Sequence, residues 1–293
     1  MVPNSIIAAL LALAADLGDV GGSLDDQLAN LNYLGIYDQP VQLADGRYEG
    51  MPYVEGGASR PVVRLADLRA EGSLSGDAID EIAVLLSESS GGSGTHIYLG
   101  IVENRQGQPR NVATIGLGDR IQVRSLSIEN GYIQLELITT GPGEPACCPT
   151  LAVRKSFGLE NDRLVEVFSE ELGAISIADL EGVAWRLVEF GREDPVDASV
   201  HVTARLSGQN LSGSGGCNRY FAAASSGGGR QLSIGPPGST RRACPEPQMQ
   251  AERRYFGALE TVRQFGFVMG RLALTYGDAD RPRTLLFAPD PTP

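Results

Sequence analysis

The sequence predicts an α+β protein that is mostly β and consists of two β-rich modules. The 293 residues include 37 glycines and 17 prolines, which at turn positions favour many short strands over a helical bundle. Residues 1–178 carry 24 acidic and 11 basic side chains, a net charge of −13, whereas residues 179–293 carry 12 acidic and 13 basic ones, a net charge of +1. This change of charge predicts two modules, and the chain is long enough for each to bury a core.

The net charge of −12 for the whole chain argues against nucleic acid as a partner, because binding to phosphates along a nucleic acid needs a basic surface. The glycine-rich stretch at residues 89–96 lacks the lysine of a phosphate-binding loop. It also precedes a predicted strand where that loop requires a helix. We therefore expect a hairpin connection at this stretch and no cofactor.

Residues 1–24 are predicted to be a signal peptide or a short N-terminal helix. Residues 6–13 are an apolar run, and Ala12-Leu13-Ala14 fits the small-x-small pattern of a signal cleavage site, although residues 1–5 hold no basic side chain. No apolar stretch of the chain is long enough to span a bilayer. We expect an exported protein of the periplasm or cell envelope, where disulfides form.

The acidic N-terminal module, residues 25–172, is predicted to consist of strands. Asn130-Gly131 is a strong hairpin signal, because a type I′ turn needs positive φ at both central positions. In the flanking strands, 120–128 and 132–139, apolar residues pair on one face near the turn. Further from the turn the apolar residues of the first strand change face, which predicts a β-bulge near Arg124-Ser125. Further strands are predicted at residues 82–86, which are buried, 95–102 and 164–168.

One loop of this module has the rhythm of a calcium-binding loop. Its candidate ligands are Ser73, Ser75, Asp77 and Asp80. Hard cations are bound mainly by carboxylates, and the first two positions hold serines. We therefore expect a turn that leads into the strand at residue 82, and no metal.

Cys147 and Cys148 are adjacent, and three states are open to them: a vicinal disulfide, two free thiols, or one thiol bridged elsewhere. Neighbouring Cα atoms lie about 3.8 Å apart, below the usual range for a disulfide, so a bond between the two would be strained and easily reduced. A zinc site is disfavoured, because zinc needs four ligands from spaced pairs. A thiol-redox role is the enzymatic alternative for this chain.

Motifs for other catalytic chemistry are absent from the sequence. No serine lies in Gly-x-Ser-x-Gly, and the two histidines, His96 and His201, fall in predicted strands at residues 95–102 and 199–206, without the context of a catalytic triad. We expect both histidines to be structural or surface residues and the protein not to be an enzyme.

The C-terminal module, residues 179–293, combines strands with one helix. Trp185 is predicted to anchor its core. A helix is predicted at residues 247–264, with a proline in its first turn and one apolar stripe. A closing meander follows, with a type II′ turn at Gly270-Arg271 and strands at residues 267–269, 272–276 and 284–287.

Two cysteines precede this helix in an unusual sequence context. Residues 212–220 have the sequence Ser-Gly-Ser-Gly-Gly-Cys-Asn-Arg-Tyr, which includes Cys217. Cys244, 27 residues later, ends a Ser-Thr-x-x-x-Cys segment. By themselves the two cysteines fit metal ligands, nucleophiles or a disulfide. The scarcity of histidine disfavours ligands, and the predicted export favours a disulfide that fixes the glycine-rich loop to the start of the helix.

The order of motifs over residues 179–289 resembles the META domain of HslJ-like bacterial heat-shock proteins. The resemblance rests on Leu-x-Gly-x-x-Trp-x-Leu from Leu180, then Gly-Cys-Asn-Arg-Tyr, Thr-x-x-x-Cys and Met-x-x-Glu-x-x-x-Phe-x-x-Leu from Met249. Arg241 and Arg242 depart from it, since the family often has an apolar residue there. The resemblance implies an antiparallel β sheet or barrel that packs one helix, in exported or envelope proteins associated with stress tolerance, without established catalytic residues. The N-terminal module is similar to a segment found ahead of META domains in other exported bacterial proteins.

We therefore expect a non-enzymatic envelope protein that acts as an interaction or structural module, with a small-ligand carrier as a further alternative. Its partner would be an envelope protein or an acidic surface, which includes the acidic N-terminal half of this chain. The candidate interaction surface comprises Asn218, Arg219, Tyr220, Arg241, Arg242, Arg253 and Arg254.

Overall fold

The computed structural model describes residues 22–74, 76, 80–92, 94–145, 148–191 and 194–290. Over these residues the chain is mostly β, as the sequence predicts, and it has two α-helices, of which only the one in the C-terminal part is predicted. Most of the predicted leader, residues 1–24, lies outside the described residues. Among the described helices, none is long and apolar enough to cross a membrane.

The N-terminal module begins with a five-stranded antiparallel sheet. Its elements are α1 (Leu24–Ala29), β1 (Asn32–Tyr33), β2 (Val41–Gln42), β3 (Arg47–Glu49), β4 (Val62–Gly72), β5 (Glu81–Ser89), β6 (His96–Arg105) and β7 (Gln108–Asp119). Strands β3 to β7 are hydrogen-bonded in chain order, and β1 and β2 form a separate ribbon. The predicted strand at residues 82–86 is confirmed as part of β5, and all five of these residues are buried.

A second, four-stranded antiparallel sheet follows, with β8 (Gln122–Glu129), β9 (Tyr132–Thr139), β10 (Leu151–Glu160) and β11 (Arg163–Ala174) in the order β11-β10-β9-β8. The predicted hairpin is confirmed, because Asn130 and Gly131 both have positive φ and Leu126 pairs with Leu135. The register shifts between Val123 and Ser125, so the predicted bulge lies at Arg124. Apolar side chains of both sheets form one core, among them Leu85, Leu99, Leu135 and Phe157.

The C-terminal part is a curled antiparallel sheet that packs one helix. After a 3₁₀ turn at Ile177–Leu180 come β12 (Ala184–Glu189), β13 (Thr203–Ser207), β14 (Asn210–Ser214), β15 (Arg219–Ser225), β16 (Ser233–Ile234), β17 (Gly238–Ser239), α2 (Glu246–Leu259), β18 (Val262–Val268), β19 (Arg271–Tyr276) and β20 (Arg283–Pro289). The strand order is β16-β15-β14-β13-β12-β20-β19-β18, with β17 paired to the far side of β15. Trp185 lies in the core with 5% of its surface exposed, as predicted.

Three local predictions for this part are wrong. The helix α2 ends at Leu259 and not at residue 264, because the β-branched Thr261 and Val262 lead into strand β18. The hairpin between β18 and β19 turns at Met269-Gly270, both with positive φ, which is a type I′ geometry and not the predicted type II′ turn. His201 precedes strand β13 and does not lie in it.

The two parts of the chain pack against each other. Ile138 and Ala152, from β9 and β10, belong to the buried core of the C-terminal sheet. The Arg124 guanidinium donates to Asp179 at 2.9 Å and lies 5.1 Å from the centre of the Phe267 ring. Arg271 of β19 also pairs with Asp67 of β4. The contact between the modules therefore combines shared apolar burial with ion pairs.

Candidate functional site

The glycine-rich segment of the sequence forms the tight connection between β14 and β15, and a disulfide holds it. Cys217 is bonded to Cys244, and their Cα atoms lie 5.8 Å apart. This bond confirms the predicted pairing and fixes the connection to the residues that precede α2. By the chain-entropy model, closing a loop of this length stabilises the fold by about 3.5 kcal/mol.

Asn218 ties the same connection to α2 by hydrogen bonds of both its backbone and its side chain. Its backbone N–H donates to Glu252 Oε2 at 2.5 Å, and its Nδ2 donates to Glu252 Oε1 at 2.8 Å. Its Oδ1 accepts hydrogen bonds from Thr240 Oγ1 at 2.9 Å and from the Arg242 backbone N–H at 2.7 Å. One buried residue thus joins the β14–β15 connection, the helix and the segment between β17 and the disulfide.

Two glycines of the segment are required by close packing. A Cβ on Gly215 would lie 2.7 Å from Phe256 and 2.9 Å from Glu252, both on α2. A Cβ on Gly213 would lie 2.1 Å from the carbonyl oxygen of Thr203. The glycines therefore allow the helix and strand β13 to approach the hairpin closely.

The predicted interaction surface is wrong for two of its residues. Asn218 and Tyr220 are 5% and 3% exposed, because the amide is enclosed by the network above and the tyrosine ring packs edge-on against Tyr255. The two tyrosine hydroxyls are 2.7 Å apart. Burial raises the pKa of both phenols, so they remain neutral hydrogen-bonding groups of the core.

The arginines of the predicted surface divide into two groups. Arg253 pairs with Glu246 at 2.5 Å, and Arg254 pairs with Asp194 while its guanidinium stacks 4.2 Å above the centre of the Phe190 ring. The Arg254 guanidinium lowers the pKa of the Asp194 carboxyl. Arg219, Arg241 and Arg242 are exposed, and within the described part of the chain their side chains form no ion pair. These three remain available to a partner.

Beside Arg219 the outer face of the sheet holds a cleft that sequence reasoning missed. Its volume is about 490 Å³, and its polar lining comprises His201, Thr203, Arg205, Ser212, Ser214, Arg219 and Asp290. The strand register explains this lining, because Arg205 pairs with Ser212 and Ser214 pairs with Arg219, which places the four side chains on one face. The signal was the alternation of outward polar residues along 203–207 and 210–214, which becomes a cleft only once the strands are paired.

At one end of the cleft His201 lies 3.4 Å from the Asp290 carboxylate, whose side chain is 6% exposed. His96 lies in the other module, at the start of β6, 3.3 Å from the buried Glu88 carboxylate. Each histidine is thus the neighbour of a carboxylate, and the two are in different parts of the fold.

The remaining candidates of the N-terminal module are only partly described. Ser75, Asp77 and Cys147 lie outside the described residues. Ser73 accepts a hydrogen bond from the Gly76 N–H at 3.0 Å, and within the described ranges no group of three His, Cys, Asp or Glu residues, with Asp80 or elsewhere, is arranged to hold a metal. Cys148 is exposed. Its loop is held by Glu144, whose carboxylate accepts from the Thr150 hydroxyl and the Gly141 N–H, and these bonds lower its pKa.

Comparisons with known proteins found similarity to part of the chain. A solved structure described as the NMR structure of a protein from Burkholderia xenovorans is 28% identical, and the match covers 38% of this chain and 84% of that one with a TM-score of 0.31. No curated protein matches the chain. The family model of the META domain matches residues 178–290. The C-terminal third of this chain is therefore a META domain.

Proposed function

We propose that this protein is a non-enzymatic, exported protein of the cell envelope whose META domain binds an acidic partner through Arg241, Arg242 and Arg219. The observation that carries the proposal is the position of these arginines. They surround the segment fixed by the Cys217–Cys244 disulfide and by Asn218, and their charges are not used within the described fold. A rigid support reduces the entropy lost on binding, so a small number of charges suffices for recognition.

Export to an oxidising compartment is supported by the disulfide and by the apolar residues 6–13. The resemblance of the domain to HslJ-like proteins extends the proposal to a role in stress tolerance. The exposed Cys148 favours one alternative, a thiol-redox function with Cys147. Titration of the thiols in the folded protein tests this alternative. A pair of cysteines that is inert or permanently oxidised would exclude it.

Charge reversal tests the acidic partner. We expect the double variant Arg241→Glu/Arg242→Glu to bind immobilised poly-glutamate at least tenfold more weakly than the native protein at low salt, because attraction becomes repulsion at two positions. The matched control is Arg263→Glu/Arg281→Glu, which makes the same change of charge at two exposed arginines of the same domain. Equal weakening by both variants would show an effect of net charge alone and would overturn the proposed surface.

A further inference from the structure

The cleft beside Arg219 contains hydrogen-bond donors that the fold does not use. Within the described residues, the guanidinium groups of Arg205 and Arg219 and the hydroxyl of Ser212 have no acceptor in the protein. The Ser214 hydroxyl accepts a hydrogen bond from the Gly216 N–H at 3.2 Å, so its own proton remains to be donated. Four donors on one face therefore point to a ligand that accepts hydrogen bonds.

The strand register brings these donors within reach of one ligand group. Arg205 and Arg219 lie on β13 and β15, with Ser212 and Ser214 on β14 between them. Strands lie about 4.8 Å apart, so the two arginines start about 10 Å apart across the sheet, a distance that two long side chains can span to a shared ligand. Gly213, between the two serines, packs closely against β13, since a Cβ there would lie 2.1 Å from the carbonyl oxygen of Thr203.

The number of donors distinguishes between classes of anion. One arginine fork satisfies both oxygens of a carboxylate. Two forks and two hydroxyls supply more donors than a single carboxylate accepts, and they suit the three or more oxygens of a phosphate. The cleft volume of about 490 Å³ is in the range of small-molecule sites.

The charge of the cleft is also suited to an anion. The only carboxylate in its described lining is that of Asp290, which is largely buried beside His201. The two arginines of the lining, Arg205 and Arg219, supply two positive charges.

We propose that this cleft binds a phosphate group between Arg205 and Arg219, with the hydroxyls of Ser212 and Ser214 as further donors. The phosphate would belong to a soluble phosphate ester or to a phospholipid headgroup, which share this chemistry. The inference goes beyond the proposed function, since it depends neither on export nor on Arg241 and Arg242, and the two proposals share only Arg219.

Calorimetric titration of the full chain with inorganic phosphate tests the inference. We expect Arg205→Gln/Arg219→Gln to weaken phosphate binding at least tenfold and Ser212→Ala to weaken it severalfold. The matched control, Arg241→Gln/Arg242→Gln, removes the same charge from the neighbouring surface and should leave phosphate binding within twofold of the native value. Because all these side chains are on the outer face, thermal unfolding should remain within a few degrees of that of the native protein.

The inference is overturned if the native protein does not bind phosphate, if the cleft variant binds it as well as the native protein, or if the control loses binding to the same extent. Succinate bound as tightly as phosphate would also overturn it in favour of a dicarboxylate. Binding to vesicles of phosphatidylglycerol, compared with vesicles of phosphatidylcholine, identifies the source of the phosphate group. Vesicle binding by the native protein that the cleft variant loses supports a lipid headgroup. Binding of inorganic phosphate without binding of vesicles supports a soluble ester. If Arg241→Glu/Arg242→Glu loses poly-glutamate binding but retains phosphate binding, the two proposals concern different surfaces and can be judged separately.

Discussion

At the scale of single residues, Asn218 illustrates how a motif is recognised before its role is understood. The sequence places it in a specific Gly-Cys-Asn pattern but does not indicate which way its side chain points. In the structure Gly216, two residues before it, has a φ of +110°, and the amide of Asn218 is buried, where it contacts Glu252 and the Arg242 backbone. A polar residue in a glycine-rich loop was assigned to the surface because exposure is the common outcome for such residues. The contacts that reverse this outcome come from α2, more than 30 positions away.

We expect Asn218→Asp to destabilise the protein by about 3 kcal/mol, because a buried donor is replaced by a carboxylate that faces the carboxylate of Glu252. Glu252→Gln in the same chain should restore a large part of this loss, since its amide can donate to the new carboxylate. Urea unfolding measures both effects. Asn210→Asp, at the exposed end of the β13–β14 hairpin, is the control and should change stability by less than about 0.5 kcal/mol. An equal effect at Asn210, or no recovery in the double variant, would show that the network does not stabilise the fold.

At the scale of elements, local rules predict hairpins well and helix ends poorly. The turn at Asn130-Gly131, its register and the bulge at Arg124 all follow from positive φ and from the period of two in a strand. The bulge has a consequence that the sequence does not reveal. Without it Arg124 would face the core, whereas in the structure its guanidinium reaches Asp179 and the Phe267 ring of the C-terminal part. The end of α2 was placed too late because Val262 and Phe265 continue the apolar stripe of the helix, although both are core residues of β18.

The disulfide permits a test at this scale. We expect Cys217→Ser/Cys244→Ser to lower the free energy of unfolding by about 3 kcal/mol, because the unfolded chain regains the freedom of a 27-residue separation. Cys148→Ser is the matched control, since it removes an exposed cysteine outside this pair, and it should have little effect. Chemical denaturation under non-reducing conditions gives the comparison. A loss below about 1 kcal/mol for the double variant would mean that the hydrogen bonds of Asn218 alone hold the hairpin.

At the scale of the whole molecule, the acidic module and the META domain are packed together. Buried residues of β9 and β10 belong to the core of the C-terminal sheet, and the ion pairs of Arg124 and Arg271 cross the contact. The sequence predicts two modules from the change in charge at residue 178 but contains no local signal for their contact. Within the described ranges, none of the arginines proposed from the sequence to meet the acidic half makes an ion pair across the contact, and Arg124 and Arg271 do so instead.

We expect Arg124→Ala to destabilise the chain by about 2 kcal/mol, because it removes a half-buried ion pair with Asp179 and the contact with Phe267. It should also separate the thermal unfolding of the two parts, because the contact that couples them is weakened. Differential scanning calorimetry measures both changes. Arg110→Ala, which removes an exposed arginine near Glu103, is the control. The contact would not depend on Arg124 if both variants behaved alike.

The sequence by itself determined the fold class, the hairpin at Asn130-Gly131, the bulge at Arg124, the tryptophan of the core and the META motifs with their cysteine pair. These features depend on residues close together in the chain, or on the spacing of motif residues that is typical of one family. The tertiary structure alone decided that Asn218 is buried, that Arg124 joins the two modules, and that Arg205, Ser212, Ser214 and Arg219 share one cleft. Each of these depends on which strands pair and which faces meet, and those choices follow from the burial of the whole core rather than from any local pattern.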